Sequence, residues 1–183
     1  MGGFKTALKW IAIAFGGLIV VCFIALIGIG TAAKLRIIPD TAVNTGEDLS
    51  EKHYEALRDA KVLERQETVK YYYSTGFLDI TDSGTIMTDR RIIGYWTEED
   101  IVQVYAYPLE TLDRLVMNVE GGEWEDAEYA VAQRGDDENS LLLYLSVEDD
   151  AHLDMITALE KQIEKNNAAY EEKAEKTEDA AKE

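Results

Sequence analysis

The side chains able to do acid–base, nucleophilic or metal chemistry are few and scattered. Two histidines, His53 and His152, lie far apart, and neither has a cysteine or second histidine at ligand spacing. The spacing puts His53 on the surface of a helix and His152 beside the apolar stripe of another. The one cysteine, Cys22, sits inside an apolar run, so the rest of the chain can form no internal disulfide. No glycine loop precedes a helix to cradle phosphate, and neither His-Glu-x-x-His nor Cys-x-x-Cys occurs. Carboxylates are plentiful, with 36 Asp and Glu against 18 Lys and Arg, so any one pair of them says little. Residues 79–84 put Gly84 sixth, as in a calcium loop, but Arg90 stands twelfth where a bidentate Glu is needed. Asp136-Asp137-Glu138-Asn139 reads as a solvated turn. This inventory supports no enzyme, no metal site and no cofactor.

Aromatic residues are what remains. Tyr71, Tyr72, Tyr73, Tyr95, Trp96, Tyr105, Tyr107, Tyr129 and Tyr144 all fall on stretches of alternating character. About half must face outward if those stretches are strands. Tyr72, Tyr105, Tyr107 and Tyr144 are the expected protein interface, because tyrosine buries a large area while keeping a polar handle.

The elements that must position them follow from periodicity. Asp48 and Glu51 make a capping-box-like start for a helix over residues 48–62, with Leu49, Tyr54, Leu57 and Ala60 on one face. From residue 67 to 147 the pattern alternates, with turn signals every eight to twelve residues. Strands are expected over 68–74, 77–80, 85–88, 91–96, 101–107, 112–119, 126–132 and 140–147, which gives seven or eight. Leu141, Leu143, Leu145 and Val147 form a core face, as do Val102, Val104 and Ala106. An amphipathic helix carrying Ile156, Leu159 and Ile163 closes the domain. Residues 168–183 are Ala, Glu and Lys with almost nothing to bury, a helical extension or a disordered tail.

Residues 1–9 form a short basic N-terminus, and residues 10–30 contain no charge. At about 1.5 Å per residue this run reaches roughly 31 Å, the thickness of a bilayer's hydrocarbon core. A transmembrane helix is expected over residues 10–33, followed by a linker over 34–47. A cleaved signal peptide is the alternative, since Thr31-Ala32-Ala33 is small, but the apolar run exceeds the usual length of one. Ala12 and Gly16, then Gly28 and Ala32, have the small-x-x-x-small spacing of helices that pack in membranes. Lys5 and Lys9 on one side against Lys34 and Arg36 on the other leave orientation nearly balanced. Those four are the only charges in residues 1–36, so of the net charge of −18 the rest of the chain carries −22. Such acidity excludes nucleic acid and favours basic partners.

Residues 84–95, Gly-Thr-Ile-Met-Thr-Asp-Arg-Arg-Ile-Ile-Gly-Tyr, resemble the central hairpin of bacterial pleckstrin-homology-like (PH-like) and GRAM-like domains. There a glycine and a strand lead to Thr-Asp-x-Arg and a second strand; Thr88, Asp89 and Arg91 match in place. Residues 69–76 are similar to the opening strand and turn of the same families. The resemblance implies an α+β, mainly β fold: a PH-like antiparallel barrel or sandwich over residues 63–167, capped by its C-terminal helix. It gives Thr88, Asp89 and Arg91 a structural part in a tight turn. It also implies binding rather than catalysis, usually inside the cell. The first-hairpin turn, Ser74-Thr75-Gly76, has no Lys or Arg, which disfavours phosphoinositide recognition. The expected protein is an accessory or assembly subunit in the cell membrane, held in the bilayer by residues 10–33. Its expected partner is another membrane protein or a second copy, and a lipid or small-molecule binding module is the alternative.

Overall fold

The computed structural model describes residues 42–180, apart from 77–78, 123–124 and 137–138. The expected transmembrane helix, with Ala12, Gly16, Cys22, Gly28 and Ala32, lies outside the described residues. Among those described, no helix is long and apolar enough to cross a membrane.

Two antiparallel sheets and two helices make up the described part. The first sheet has the order β1 (Asn44–Thr45), β2 (Val69–Ser74), β3 (Ser83–Thr88), β4 (Arg91–Glu98) and β5 (Ile101–Pro108). The second has β6 (Leu112–Val119), β7 (Ala127–Gln133) and β8 (Ser140–Leu145). Helix α1 (Glu51–Asp59) lies between β1 and β2 in sequence, and α2 (His152–Ala180) ends the described chain.

Both faces of the five-stranded sheet are packed, and strand alternation explains how. Met87, Ile92 and Tyr73 point into a core shared with Val131, Leu141, Leu143 and Leu145 of the second sheet and Met155, Leu159 and Ile163 of α2. Ile86, Ile93, Tyr95 and Tyr72 point the other way, into a second core with Leu57 of α1, Val62 and Leu63. Val102, Val104 and Ala106 of β5 pack against this second core.

Several expectations need correcting. The sheets do not close into a barrel: β5 ends at Pro108, which has no N–H, and a 3-10 turn at Leu109–Thr111 separates it from β6. The first helix is capped by Ser50, whose hydroxyl accepts from the His53 N–H, and not by Asp48, which instead accepts from the Thr45 hydroxyl. His53 is buried rather than on the surface, because its face of α1 turns towards the sheet. No strand forms at Asp79 or Ile80; the Asp79 carboxylate accepts from the Thr81 N–H and hydroxyl and winds that segment into a turn. The linker contributes β1, which pairs with Tyr71 and Tyr72. The tail is no correction: of its two expected forms it takes the helical one, as far as Ala180.

Midway along α2 the helix is locked down by two amides. Asn166 is buried, and its Nδ2 donates to the carbonyls of Leu109 (2.8 Å) and Leu112 (2.9 Å). Arg134 donates to Asp113 and to Asn167, and its guanidinium lies 4.2 Å from the Tyr170 ring centre.

Candidate functional site

Where β8 crosses the five-stranded sheet, the two sheets diverge and leave a cleft of about 730 Å³. The crossing is close at Gly94: a Cβ there would stand 3.1 Å from Leu141 Cδ1 and 3.4 Å from the Leu142 carbonyl oxygen. The Thr85 hydroxyl donates to the Tyr144 carbonyl (3.1 Å), which ties β8 to the sheet floor. Beyond that tie, one wall is made by Trp96 and Tyr105. Their registers place Gly94 opposite Tyr105 and Trp96 opposite Gln103, so the two rings are diagonal neighbours on one face. They stack with centres 4.9 Å apart and planes 3° from parallel. Leu142 and Tyr144 of β8 line the other side.

These four side chains are unusually open for their size: Trp96 is 41% exposed, Tyr105 51%, Leu142 40% and Tyr144 46%. Polar groups at the cleft are mostly engaged with one another. Thr75 and Ser83 share a hydroxyl–hydroxyl hydrogen bond. Asp126 accepts from the Tyr73 hydroxyl through both oxygens, at 2.8 and 2.9 Å. Burial, and after it the Asp126 carboxylate, push the Tyr73 hydroxyl far above its ordinary value. Burial and the Glu128 charge likewise raise Tyr144.

Of the four expected interface tyrosines, the structure brings Tyr105 and Tyr144 together across this cleft. Tyr72 is a correction: at 4% exposure it belongs to the core beneath α1 and offers nothing to a partner. Tyr107 is half-buried against the inter-sheet core, where burial and then the Asp136 charge raise its hydroxyl. Trp96 and Leu142 were absent from the sequence-derived set. Alternation carries the signal: Trp96 shares the face of β4 with Gly94, and Leu142 lies on the face of β8 opposite the core residues Leu141 and Leu143.

Thr88, Asp89 and Arg91 form a separate knot at the β3–β4 turn, with Thr88 buried, Arg91 half-buried and Asp89 exposed. The Thr88 hydroxyl accepts from the backbone N–H groups of Arg90 and Arg91, and Asp89 accepts from the Thr68 N–H. Arg91 forks onto Glu67, donating from Nε at 2.7 Å and Nη2 at 2.6 Å. Glu67 also accepts from the Glu64 N–H (2.7 Å), and its side chain is wholly buried. Sequence reading missed Glu67, since a lone acid before a strand carries no pattern.

Among the described residues no group of three or more His, Cys, Asp and Glu is placed to hold a metal. His53 belongs to α1 and His152 to α2, and neither lines the cleft.

No protein-family model matches the chain, and no curated protein matches it. Among solved structures, it is similar to a pleckstrin homology domain from Shewanella amazonensis SB2B. Identity there is 15%, the match covers 60% of this chain and 96% of that one, and the TM-score is 0.42. It is also similar to a DUF1696 family protein with a pleckstrin-homology domain from Shewanella loihica PV-4. That match has 14% identity, 69% and 97% coverage, and a TM-score of 0.43.

Proposed function

We propose that this protein is a non-enzymatic, single-pass membrane protein that presents an acidic PH-like module to a membrane partner. Residues 10–33 hold it in the bilayer of the cell membrane, with the module on the cytoplasmic side. It serves there as an accessory or assembly subunit, and the cleft beside β8 is its gripping surface. One observation carries this reading: the stacked Trp96 and Tyr105 stand half-exposed in one cleft with Leu142 and Tyr144. Leaving that much aromatic and aliphatic surface wet is unfavourable, and such residues are enriched where proteins meet. The central Thr-Asp-x-Arg hairpin and the run of seven strands from β2 to β8 followed by a helix support the PH-like assignment.

A second reading, a membrane-tethered lipid or small-molecule binding module, is favoured by the cleft's volume of about 730 Å³. Small-molecule sites usually occupy about 300–1,000 Å³. One experiment separates the two. The full chain is purified from its native membrane in mild detergent, beside the double variant Trp96→Ser, Tyr105→Ser, and both are examined by mass spectrometry for protein and lipid. A stoichiometric membrane protein is expected with the wild type and not with the variant. Equal retention by the variant would remove the cleft from the interface. Wild-type protein emerging alone with bound lipid would overturn the subunit reading in favour of the second.

A further inference from the structure

We infer that the cleft takes a basic segment of the partner, with an arginine or lysine laid against the Trp96–Tyr105 wall and its charge met by Asp126. This rests on the cleft being the partner-binding surface and adds what that partner presents. Three features point to the same chemistry.

The wall is suited to a cation. In the stack each ring turns one face to the other and keeps one outer face; a guanidinium or ammonium is attracted to such a face while its aliphatic stem packs on neighbouring apolar groups. Among the described residues the domain makes this contact internally: Arg134 lies over Tyr170 at 4.2 Å and Arg58 over Tyr54 at 5.2 Å. Leu142 supplies apolar surface for the stem on the facing side.

The carboxylate is held in place. Asp126 is fixed by the hydroxyl of the buried Tyr73, yet is itself only half-buried and lines the cleft. An ionised carboxylate has about four lone-pair positions. One hydroxyl shared between its oxygens leaves room for a guanidinium fork.

The surroundings repel an acidic segment. Among the described residues the cleft lining contains no Lys or Arg. In sequence none occurs from residue 92 to 113, from 115 to 133 or from 135 to 160, a span that includes most of β4 and all of β5, β7 and β8. Glu98, Glu99 and Asp100 follow Trp96 and Thr97 at the β4–β5 turn, and Glu128 stands opposite Tyr144 in the β7–β8 register. An acidic or phosphorylated segment would meet these charges without a counter-ion.

The test uses the full chain in an uncharged detergent and a fluorescein-labelled twelve-residue peptide of arginines separated by leucine and serine. Two counterparts carry glutamine or glutamate at every arginine. Binding is read by fluorescence anisotropy at two salt concentrations. The arginine peptide is expected to bind, less tightly at higher salt, and the glutamate peptide not at all. Asp126→Asn keeps an acceptor for Tyr73 and so preserves the fold, but is expected to weaken the arginine peptide about tenfold. Trp96→Leu keeps an apolar wall without its π face, and should weaken the arginine peptide more than the glutamine one. Glu110→Gln changes an exposed acid beyond the opposite end of the β4–β5 hairpin, and should change nothing. A loss with Glu110→Gln as large as that with Asp126→Asn would mean diffuse attraction and overturn the inference. Equal, Trp96-dependent binding of the glutamine peptide would overturn the basic assignment and leave the cleft as a partner surface. Failure of every peptide would overturn the inference, and partner retention in the Trp96, Tyr105 experiment would then decide the wider reading.

Discussion

Replacing Glu67 by Gln removes one charge and leaves the volume almost unchanged, so it isolates the electrostatics of the β3–β4 knot. The Glu67 carboxylate, fully buried, accepts from Arg91 Nε and Nη2 and from the Glu64 N–H, all at 2.6–2.7 Å, and from the Thr88 hydroxyl at 3.3 Å. A Gln has one acceptor there, and its NH₂ would face the Arg91 donors. Removing one partner of a buried ion pair typically costs about 3–5 kcal/mol. Arg91 keeps 22% of its side chain in water and a second, looser partner in Glu64 at 3.6 Å, so the lower end, about 3 kcal/mol, is expected here. That corresponds to roughly 10 °C in melting temperature for a domain of this size. Burial alone would raise the Glu67 carboxyl; the Arg91 and Glu64 hydrogen bonds, the Arg91 charge and Thr88 outweigh it and hold it below 4.5. Between 4.5 and that lower value the unfolded chain binds a proton that the folded one does not, so stability falls as pH falls. The stability contributed by the carboxylate is therefore complete above 4.5 and lost as pH drops through the folded value. Once Glu67 is protonated it resembles Gln, and the gap between wild type and variant should close. Urea unfolding of both full-length proteins in detergent, at pH 7 and in steps to pH 3, measures that gap. A difference below about 0.5 kcal/mol at pH 7, or one that stays constant to pH 3, would refute the reasoning.

Further outcomes follow from close contacts and caps. Gly84→Ala is expected to cost about 2 kcal/mol or more, because its Cβ would fall 2.3 Å from the Tyr73 carbonyl oxygen and 2.6 Å from the Tyr95 hydroxyl. Gly94→Ala should cost less than about 1 kcal/mol, since the nearest atom is the movable end of Leu141; thermal melts of the two variants should rank them in that order. Asn166→Ala strips the donors from two buried carbonyls and should cost about 2 kcal/mol, with faster amide exchange in α2 near its contact with Leu109 and Leu112. Glu99 and Asp100 hold φ of 49° and 64° in the two-residue β4–β5 turn, so Asn and Gly in their places should add about 1 kcal/mol in urea unfolding.

Periodicity was a good guide to the sheets and a poor one to what lies between them. The pattern of Leu141, Leu143 and Leu145 told which face of β8 is core, and the same alternation put Val102, Val104 and Ala106 on one side of β5. It could not show that the opposite side of β5 is also partly covered, because Tyr107 packs against a core drawn largely from β7, β8 and α2, which are distant in sequence. The same limit explains Tyr72. Three consecutive tyrosines must alternate, but which one meets α1 depends on a helix that a capping pattern alone cannot dock. His53 went wrong for that reason: a polar residue on a short helix reads as solvated until the helix is placed. The turn at Asp79 was hidden because residues 77–80 are apolar enough to pass as a strand, whereas a carboxylate bonded to Thr81 favours a turn. Half of the cleft was visible as Tyr105 and Tyr144. Its other half, Trp96 and Leu142, depends on where two sheets part.

Why they part is a question of volume. At Gly94 the floor has no side chain, and β8 comes close enough for the Leu142 carbonyl to sit against it. Two residues further along β4 stands Trp96, stacked on Tyr105 across the ladder, and rings of that bulk cannot fit beneath a strand at the same spacing. The sheets therefore diverge at this corner while Thr85–Tyr144 and Tyr73–Asp126 hold the edges of the opening. A cleft built that way exists before any partner arrives. Binding would then need little rearrangement, so most of the interaction between its walls and a bound segment would appear as affinity rather than offset the cost of ordering. It also follows that shrinking Trp96 or Tyr105 removes contact surface while leaving both hydrogen-bonded edges in place. Loss of binding by such variants should therefore come without loss of the fold.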